Sequence, residues 1–202
     1  MSYYSSIKII EDAIHRQKDD YIIVSEGSNT MDIGRTILSN DSSKQRLDAG
    51  TFGTMGVGFG FAIAAQSLYP KKKVVMVVGD SAFGFSGMEV ETAVRFGLPL
   101  KIIIINNNGI VRGIEELDNT AVNNVPVTAL TPFSNYHYIA HAFGAKGEAV
   151  KDHENLSKKL DEMLADNNLW ILNVFIDTNA GRKPQEFSWL TRDQDKKEAA
   201  KL

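Results

Sequence analysis

The sequence predicts an α/β fold, a doubly wound, mostly parallel sheet with helices on both faces. Two apolar runs predict it first, Val74-Val75-Met76-Val77-Val78 and Ile102-Ile103-Ile104-Ile105. β-branched runs without polar alternation belong to strands covered on both faces. The second observation is the spacing. Segments of helical length separate these runs from each other and from two further strand candidates, which implies right-handed crossovers.

Each element follows in order. Between Ile7 and Arg16, Ile9, Ile10, Ala13 and Ile14 recur at helical spacing, and Tyr21 to Ser25 reads as a short strand. Asp32 to Leu38 is predicted helical, and Asn40 to Lys44 is a surface turn. Val57 to Leu68 is an apolar helix rich in small residues, stopped by Pro70. Strand Val74–Val78, helix Gly87–Phe96 and strand Lys101–Asn106 follow. Val111 to Pro132 lacks periodicity and reads as a loop over a site. Ser134 is placed to cap a helix from Asn135 to Phe143. Leu156, Leu160, Met163 and Leu164 mark another helix, and Trp170 to Ile176 the last strand.

Composition narrows the function. At 202 residues and 43% hydrophobic content, the chain can build one sizeable core. A net charge of −3 argues against nucleic acid, and Lys71-Lys72-Lys73 reads as a solvated turn. Without cysteine there is neither a disulfide framework nor a thiolate metal site. No apolar run approaches the ~20 residues that span a bilayer, and Met1-Ser2-Tyr3-Tyr4 has no signal-peptide pattern.

The chemistry gathers at two strand ends. Gly79-Asp80-Ser81 follows one buried run and Asn106-Asn107-Asn108-Gly109 the other. Ligands of open α/β sheets bind at such carboxyl ends. Asp80 offers a carboxylate, Asn107 a side-chain carbonyl and Gly109 a backbone carbonyl. Three oxygens from adjacent strands suit Mg²⁺, which keeps its other positions for water and a ligand's phosphates. Either motif alone reads equally as a turn. Gly56-Val57-Gly58-Phe59-Gly60 fits a dinucleotide fingerprint poorly, because its third glycine is misplaced and no acidic residue is convincingly placed ~20 residues on. Its glycines are expected to permit close backbone approach or close helix packing. Glu26 reads as a residue at a strand end that is structural or supports the site from behind. His15 is expected in solvent, and His137 and His141 at the surface or a helix cap. His153 has no metal-ligand spacing with the others.

The pair of motifs resembles the diphosphate-binding signature of the thiamine diphosphate enzymes, which opens Gly-Asp-Gly and closes on paired asparagines. Leu47 to Gly56, Gly79 to Thr92 and Ser25 to Asp32 resemble the branch holding 2-hydroxyacyl-CoA lyase and oxalyl-CoA decarboxylase. The resemblance covers nearly the whole chain, but only the C-terminal third of such an enzyme. It implies the thiamine diphosphate-binding fold over residues 1–186 and a C-terminal tail over 187–202. It implies thiamine diphosphate and Mg²⁺ as cofactors, with Asp80, Asn107 and Gly109 on the metal. Tyr4, Ser28 and Asn29 would contact the diphosphate, with backbone amides of Ser81 and Ala82. Ile110 would line the cofactor. Gly53 and Met55 would meet the pyrimidine, Met55 wedging beneath the bent cofactor. The glutamate that activates the aminopyrimidine belongs to another domain, so no catalytic residue is assigned in this chain. Relatives carry tyrosine where this chain has Val111.

The implied reaction is cleavage of a 2-hydroxyacyl-CoA to formyl-CoA and an aldehyde. An oxalyl-CoA decarboxylase domain and a non-catalytic, stand-alone cofactor-binding subunit are the alternatives. The implied partners are an acyl-CoA thioester, the pyrimidine-binding domain of the same enzyme, and further copies in a homo-oligomer. The isolated chain is expected to fold without turnover and to leave an exposed apolar face around Met55. Phe187, Trp189 and Arg192 suggest a lid over the thioester, or else Phe187 and Trp189 simply pin the tail to the domain. Ala200-Lys201-Leu202 resembles the address read by the peroxisomal import receptor, which favours the lyase, a peroxisomal enzyme of fatty-acid α-oxidation.

Overall fold

The structure, a computed structural model, describes residues 1–17 and 20–182. A six-stranded, wholly parallel sheet runs in the order β2-β1-β3-β4-β6-β5. Its strands are β1 (Tyr21–Glu26), β2 (Arg46–Asp48), β3 (Lys73–Gly79), β4 (Lys101–Asn106), β5 (Lys146–Val150) and β6 (Trp170–Phe175). The helices are α1 (Tyr3–Gln17), α2 (Ser28–Ile37), α3 (Gly58–Leu68), α4 (Asp80–Ser86), α5 (Glu89–Arg95), α6 (Tyr138–Ala142) and α7 (His153–Ala165).

The period of two along the central strands divides the core into two layers. Val75, Val77, Ile103 and Ile105 face α1 and α7, packing with Ile7, Ile10, Ile14, Leu156 and Leu160. Val74, Met76, Val78, Ile102 and Ile104 face the other way, against Phe59, Ala62, Phe83 and Val90 of α3, α4 and α5. Covering both faces is what the unbroken apolar runs require. The strand order reverses between β1 and β3, and the carboxyl ends of both open at that switch point.

Four points refine or change the sequence expectations. The helix expected at Gly87–Phe96 is α5, Glu89–Arg95, and a separate short helix, α4, ends just before it at Ser86. A Cβ at Gly87 would lie 2.7 Å from the Phe83 ring, so the chain passes too close there for any larger residue. Ser134 caps nothing. Its hydroxyl donates to the Thr131 carbonyl, and the helix is only Tyr138–Ala142. His137 does stand at the N-cap position of α6, but it makes no side-chain cap bond and is buried, at 7% exposure. The edge strands β2 and β5 have sequences, RLD and KGEAV, that carry no apolar run. They form because each pairs on one side with a buried strand. Most of the other boundaries fall within two residues of the expectation. Helices α1 and α2 begin earlier, at Tyr3 and Ser28. Helix α7 has a cap the sequence reading passed over, Asp152 accepting from the Asn155 amide at 2.9 Å.

Candidate functional site

Three strand ends converge on Asp80. β3 delivers it to the first turn of α4, buried at 2% exposure. Its Oδ1 accepts the Ser81 amide at 2.7 Å, and its Oδ2 accepts the Gly109 amide at 3.0 Å. The amides of Asn107 and Asn108 also point at it. Burial nevertheless dominates and raises its pKa to about 7. A nearby cation would favour its charged form.

The three asparagines after β4 have separate tasks. Asn106 donates to Asn173 Oδ1 at 3.2 Å and to the Ser134 carbonyl at 3.3 Å, and its Oδ1 accepts the Asn108 amide. Asn108, at φ 64°, donates to the Ile114 carbonyl and accepts from the Phe133 amide, which pins the following loop. Asn107 spends only its Nδ2, on the Val111 carbonyl at 3.2 Å. Among the described residues no donor reaches its Oδ1. Of the three, Asn107 is the one with a carbonyl oxygen left for a ligand. Gly109 could be no other residue, since a Cβ there would lie 2.6 Å from the Arg112 carbonyl.

β1 supplies the second wall. Gly27, at φ 97°, passes against the Gly79 amide, and α2 starts immediately with Ser28 and Asn29. Asn29 Nδ2 faces the same Val111 carbonyl at 3.5 Å. Val111 is held at φ 71°, a conformation a β-branched residue rarely adopts. Its carbonyl thus meets both carboxamides that flank Asp80.

Two residues of this wall escaped the sequence reading. Tyr3 is buried, hydrogen-bonded to Asn29 and close to Asp80. Burial, then the Asp80 charge, raises its pKa. Its place on the apolar stripe Tyr3-Ile7-Ile10-Ile14 was the available signal. Arg182 bonds Asn29 Oδ1 at 2.8 Å, Asp32 at 2.6 Å and Ser28 Oγ at 3.4 Å. It fixes the Asn29 carbonyl outward and so turns the amide nitrogen toward the site. No local pattern in the sequence announces that contact.

The remaining expected residues lie around this centre. Tyr4 is half-buried on α1, beside Tyr3. Ala82 is buried in the first turn of α4, where amides lack intrahelical acceptors. The Ser81 amide is engaged by Asp80. Ile110 is exposed at the start of the loop. Met55 is half-buried against the α3–α5 layer, and Phe85 of α4 abuts Gly56 next to it. Phe52 and Phe85 are exposed at 93% and 67%, so apolar surface does flank Met55. Gly53 sits in an exposed turn at φ 66°, where an added Cβ would meet nothing within 4 Å. Glu26 is buried beneath this loop, as a strand-end residue should be. His15 is exposed, bonded to Glu11 and Ser39. Among the described residues no three histidine, aspartate or glutamate side chains form a metal cluster. A divalent ion would therefore rest on one carboxylate plus neutral oxygens, a set that suits Mg²⁺ sharing its sphere with phosphate.

Residues 26–174 match the model of the thiamine pyrophosphate enzyme C-terminal TPP-binding domain. The chain belongs to that family. Human 2-hydroxyacyl-CoA lyase 1 is 47% identical over 206 residues, which cover 95% of this chain and 35% of that protein. Oxalyl-CoA decarboxylase of Escherichia coli K12 is 37% identical over 194 residues, covering 96% and 34%. The chain thus spans about a third of the length of these relatives. In structure it resembles the 4-hydroxybenzoylformate decarboxylase of Rhodococcus jostii RHA1, with a TM-score of 0.74 over 90% of this chain and 33% of that one. At 21% identity that likeness concerns the fold. No helix among the described residues is long and apolar enough to cross a membrane. The expected tail boundary at 187, with Phe187, Trp189, Arg192 and Ala200-Lys201-Leu202, lies outside the described residues.

Proposed function

We propose that this domain holds thiamine diphosphate through Mg²⁺ in a 2-hydroxyacyl-CoA lyase-like enzyme that yields formyl-CoA and an aldehyde. The observation that carries the cofactor reading is the free Oδ1 of Asn107 beside the buried Asp80. Asp80, Asn107 and the Gly109 carbonyl would hold the metal. Tyr4, Ser28, Asn29, Ser81, Ala82 and Ile110 would line the diphosphate, and Gly53 and Met55 the rings. When bound, the cofactor supplies a nucleophilic thiazolium carbon. The chain's own residues bind, orient and shield. Asp80 would serve as the carboxylate ligand, Asn29 would present an amide donor, and Met55 would offer apolar support.

The greater identity to the human lyase than to the decarboxylase favours the lyase. The glutamate that activates the pyrimidine, the thioester-binding surface and any second subunit would lie outside this chain. The apolar flank of Met55 would then meet a pyrimidine-binding domain.

The deciding experiment offers 2-hydroxyacyl-CoA and oxalyl-CoA to the intact enzyme. Formyl-CoA and aldehyde from the first support the lyase. Turnover of oxalyl-CoA alone reassigns it. Calorimetry of this chain with Mg²⁺ and thiamine diphosphate tests the cofactor part, which fails if the heats match those of Asp80→Ala.

A further inference from the structure

Glu26 ends β1 with its side chain at 0% exposure. Among the described residues no lysine, arginine or histidine pairs with it. Its partners are successive backbone amides: Gly56 on Oε1, Gly58 on Oε2 at 2.8 Å, and Val57 between them. A buried charge without a counter-ion is costly to keep. Three convergent amides form a nest that offsets part of that cost. The local sequence is fitted to this arrangement. Gly56 is at φ 86°, and a Cβ at Gly58 would run into the Glu26 carboxylate and lie 2.7 Å from the Met76 methyl.

The segment so held is the 49–58 loop, which has little else to fix it. Gly50 and Gly53 are also left-handed, and Phe52, Gly53 and Thr54 are exposed. Its entry is anchored by the Asp48 carboxylate on the Gly50 amide and by Arg35 on the Gly50 carbonyl. Its exit is anchored by Glu26. Met55 lies one residue before that exit. On the other side, the backbone of Glu26 runs through Gly27 straight into Ser28 and Asn29. One side chain therefore joins the part of the site expected to hold the diphosphate to the part expected to support the rings.

We propose that Glu26 is a positioning residue, clamping the Gly56–Gly58 amides so that Met55 is presented at a fixed distance from the Ser28–Asn29 end of the site. The consequence for the cofactor rests on the proposed function, but the clamp itself can be read without any ligand. Glu26→Gln keeps the shape and turns an N–H donor toward the amides. Glu26→Asp keeps the charge and withdraws it by one methylene. Both are examined in this chain by amide NMR of residues 50–60 and by ¹³C-methyl NMR of its methionines.

The expected result for Glu26→Gln is upfield movement of the Gly56 and Gly58 amide protons and a broadened or multiple Met55 methyl signal. The Asn107, Gly109 and Val111 amides should stay in place. Affinity for magnesium pyrophosphate should remain within about twofold of the parent, while affinity for thiamine diphosphate falls about tenfold. Met55→Ala should reproduce that difference and add little to Glu26→Gln. Unmoved Gly56, Gly58 and Met55 signals overturn the proposal, as does equal weakening of both ligands. Should Glu26→Gln fail to fold, the same readings on Glu26→Asp decide. If the parent chain binds neither ligand better than Asp80→Ala does, the cofactor reading fails. The NMR result alone then decides the clamp.

Discussion

Asp80 Oδ2 accepts the Gly109 amide at 3.0 Å, so the carboxylate proposed as a metal ligand also joins the ends of β3 and β4. Its companion oxygen is held by Ser81. A group fixed at both oxygens has little freedom left to lose on binding, which is preorganisation in the useful sense.

Removing that carboxylate should separate folding from binding. In the parent chain, thiamine diphosphate with Mg²⁺ at a hundred times its dissociation constant should stabilise by about 2.7 kcal/mol. Asp80→Ala should gain almost nothing under the same conditions. Scanning calorimetry with and without the ligands checks this, and an equal upward shift in both proteins would remove Asp80 from the site.

Asn107 and Asn108 should behave oppositely although they are neighbours. Asn108 makes two side-chain bonds, to Ile114 and Phe133, in a left-handed conformation. Asn108→Ala should cost about 2–3 kcal/mol of stability. Asn107→Ala loses only the bond to Val111 and should cost about 1 kcal/mol. Magnesium-dependent affinity should instead fall at least tenfold in the Asn107 variant. Urea unfolding and titration calorimetry on both variants provide the comparison.

The contrast between these asparagines also marks where sequence stops informing. Asp80, Asn107 and Gly109 were legible because the buried runs before them say which ends of which strands they occupy. Met76 and Ile104 declare their strands without context. Arg46–Asp48 and Lys146–Val150 do not, since edge strands owe their conformation to one neighbour rather than to their own apolar pattern. The sharing of work among Asn106, Asn107 and Asn108 depends on Ile114 nearby and on Ser134, Phe133 and Asn173, which are remote in sequence. Arg182 and Tyr3 also reach Asn29 from distant positions, and no periodicity encodes such a contact.

Two glycines of α3 should respond in opposite directions to alanine. At Gly58 the added methyl would meet Glu26 and Met76, and overpacking there should destabilise by about 1–3 kcal/mol. At Gly60 it would meet nothing within 4 Å, on an exposed helical position. Gly60→Ala should stabilise by about 0.5–1 kcal/mol through the unfolded chain and helix propensity. Chemical denaturation of the two variants decides whether close packing, rather than cofactor approach, is what demands glycine at 58.

Acid should weaken the edge of the sheet through His137. Its Nδ1 is buried without a partner among the described residues. Burial, and then the neighbouring His141, lowers its pKa, while Glu148 on β5 opposes this. The Tyr138 ring lies 4.4 Å from the His137 ring. The folded state therefore binds a proton at His137 more weakly than the unfolded chain, which takes one up near pH 6.5. The stability linked to this group is present above about pH 6.5 and is lost as pH falls from there toward the depressed folded value. Its slope cannot exceed about 1.4 kcal/mol per pH unit for one proton. Asp80 acts the other way, because its raised pKa favours the folded state as pH falls from 7 toward 3.8. That contribution is common to a His137→Gln variant and cancels in the comparison. Unfolding free energies measured from pH 7.5 to 5.0 should decline more steeply in the parent chain than in His137→Gln. Parallel curves would show that His137 takes up its proton as easily inside the fold as outside it.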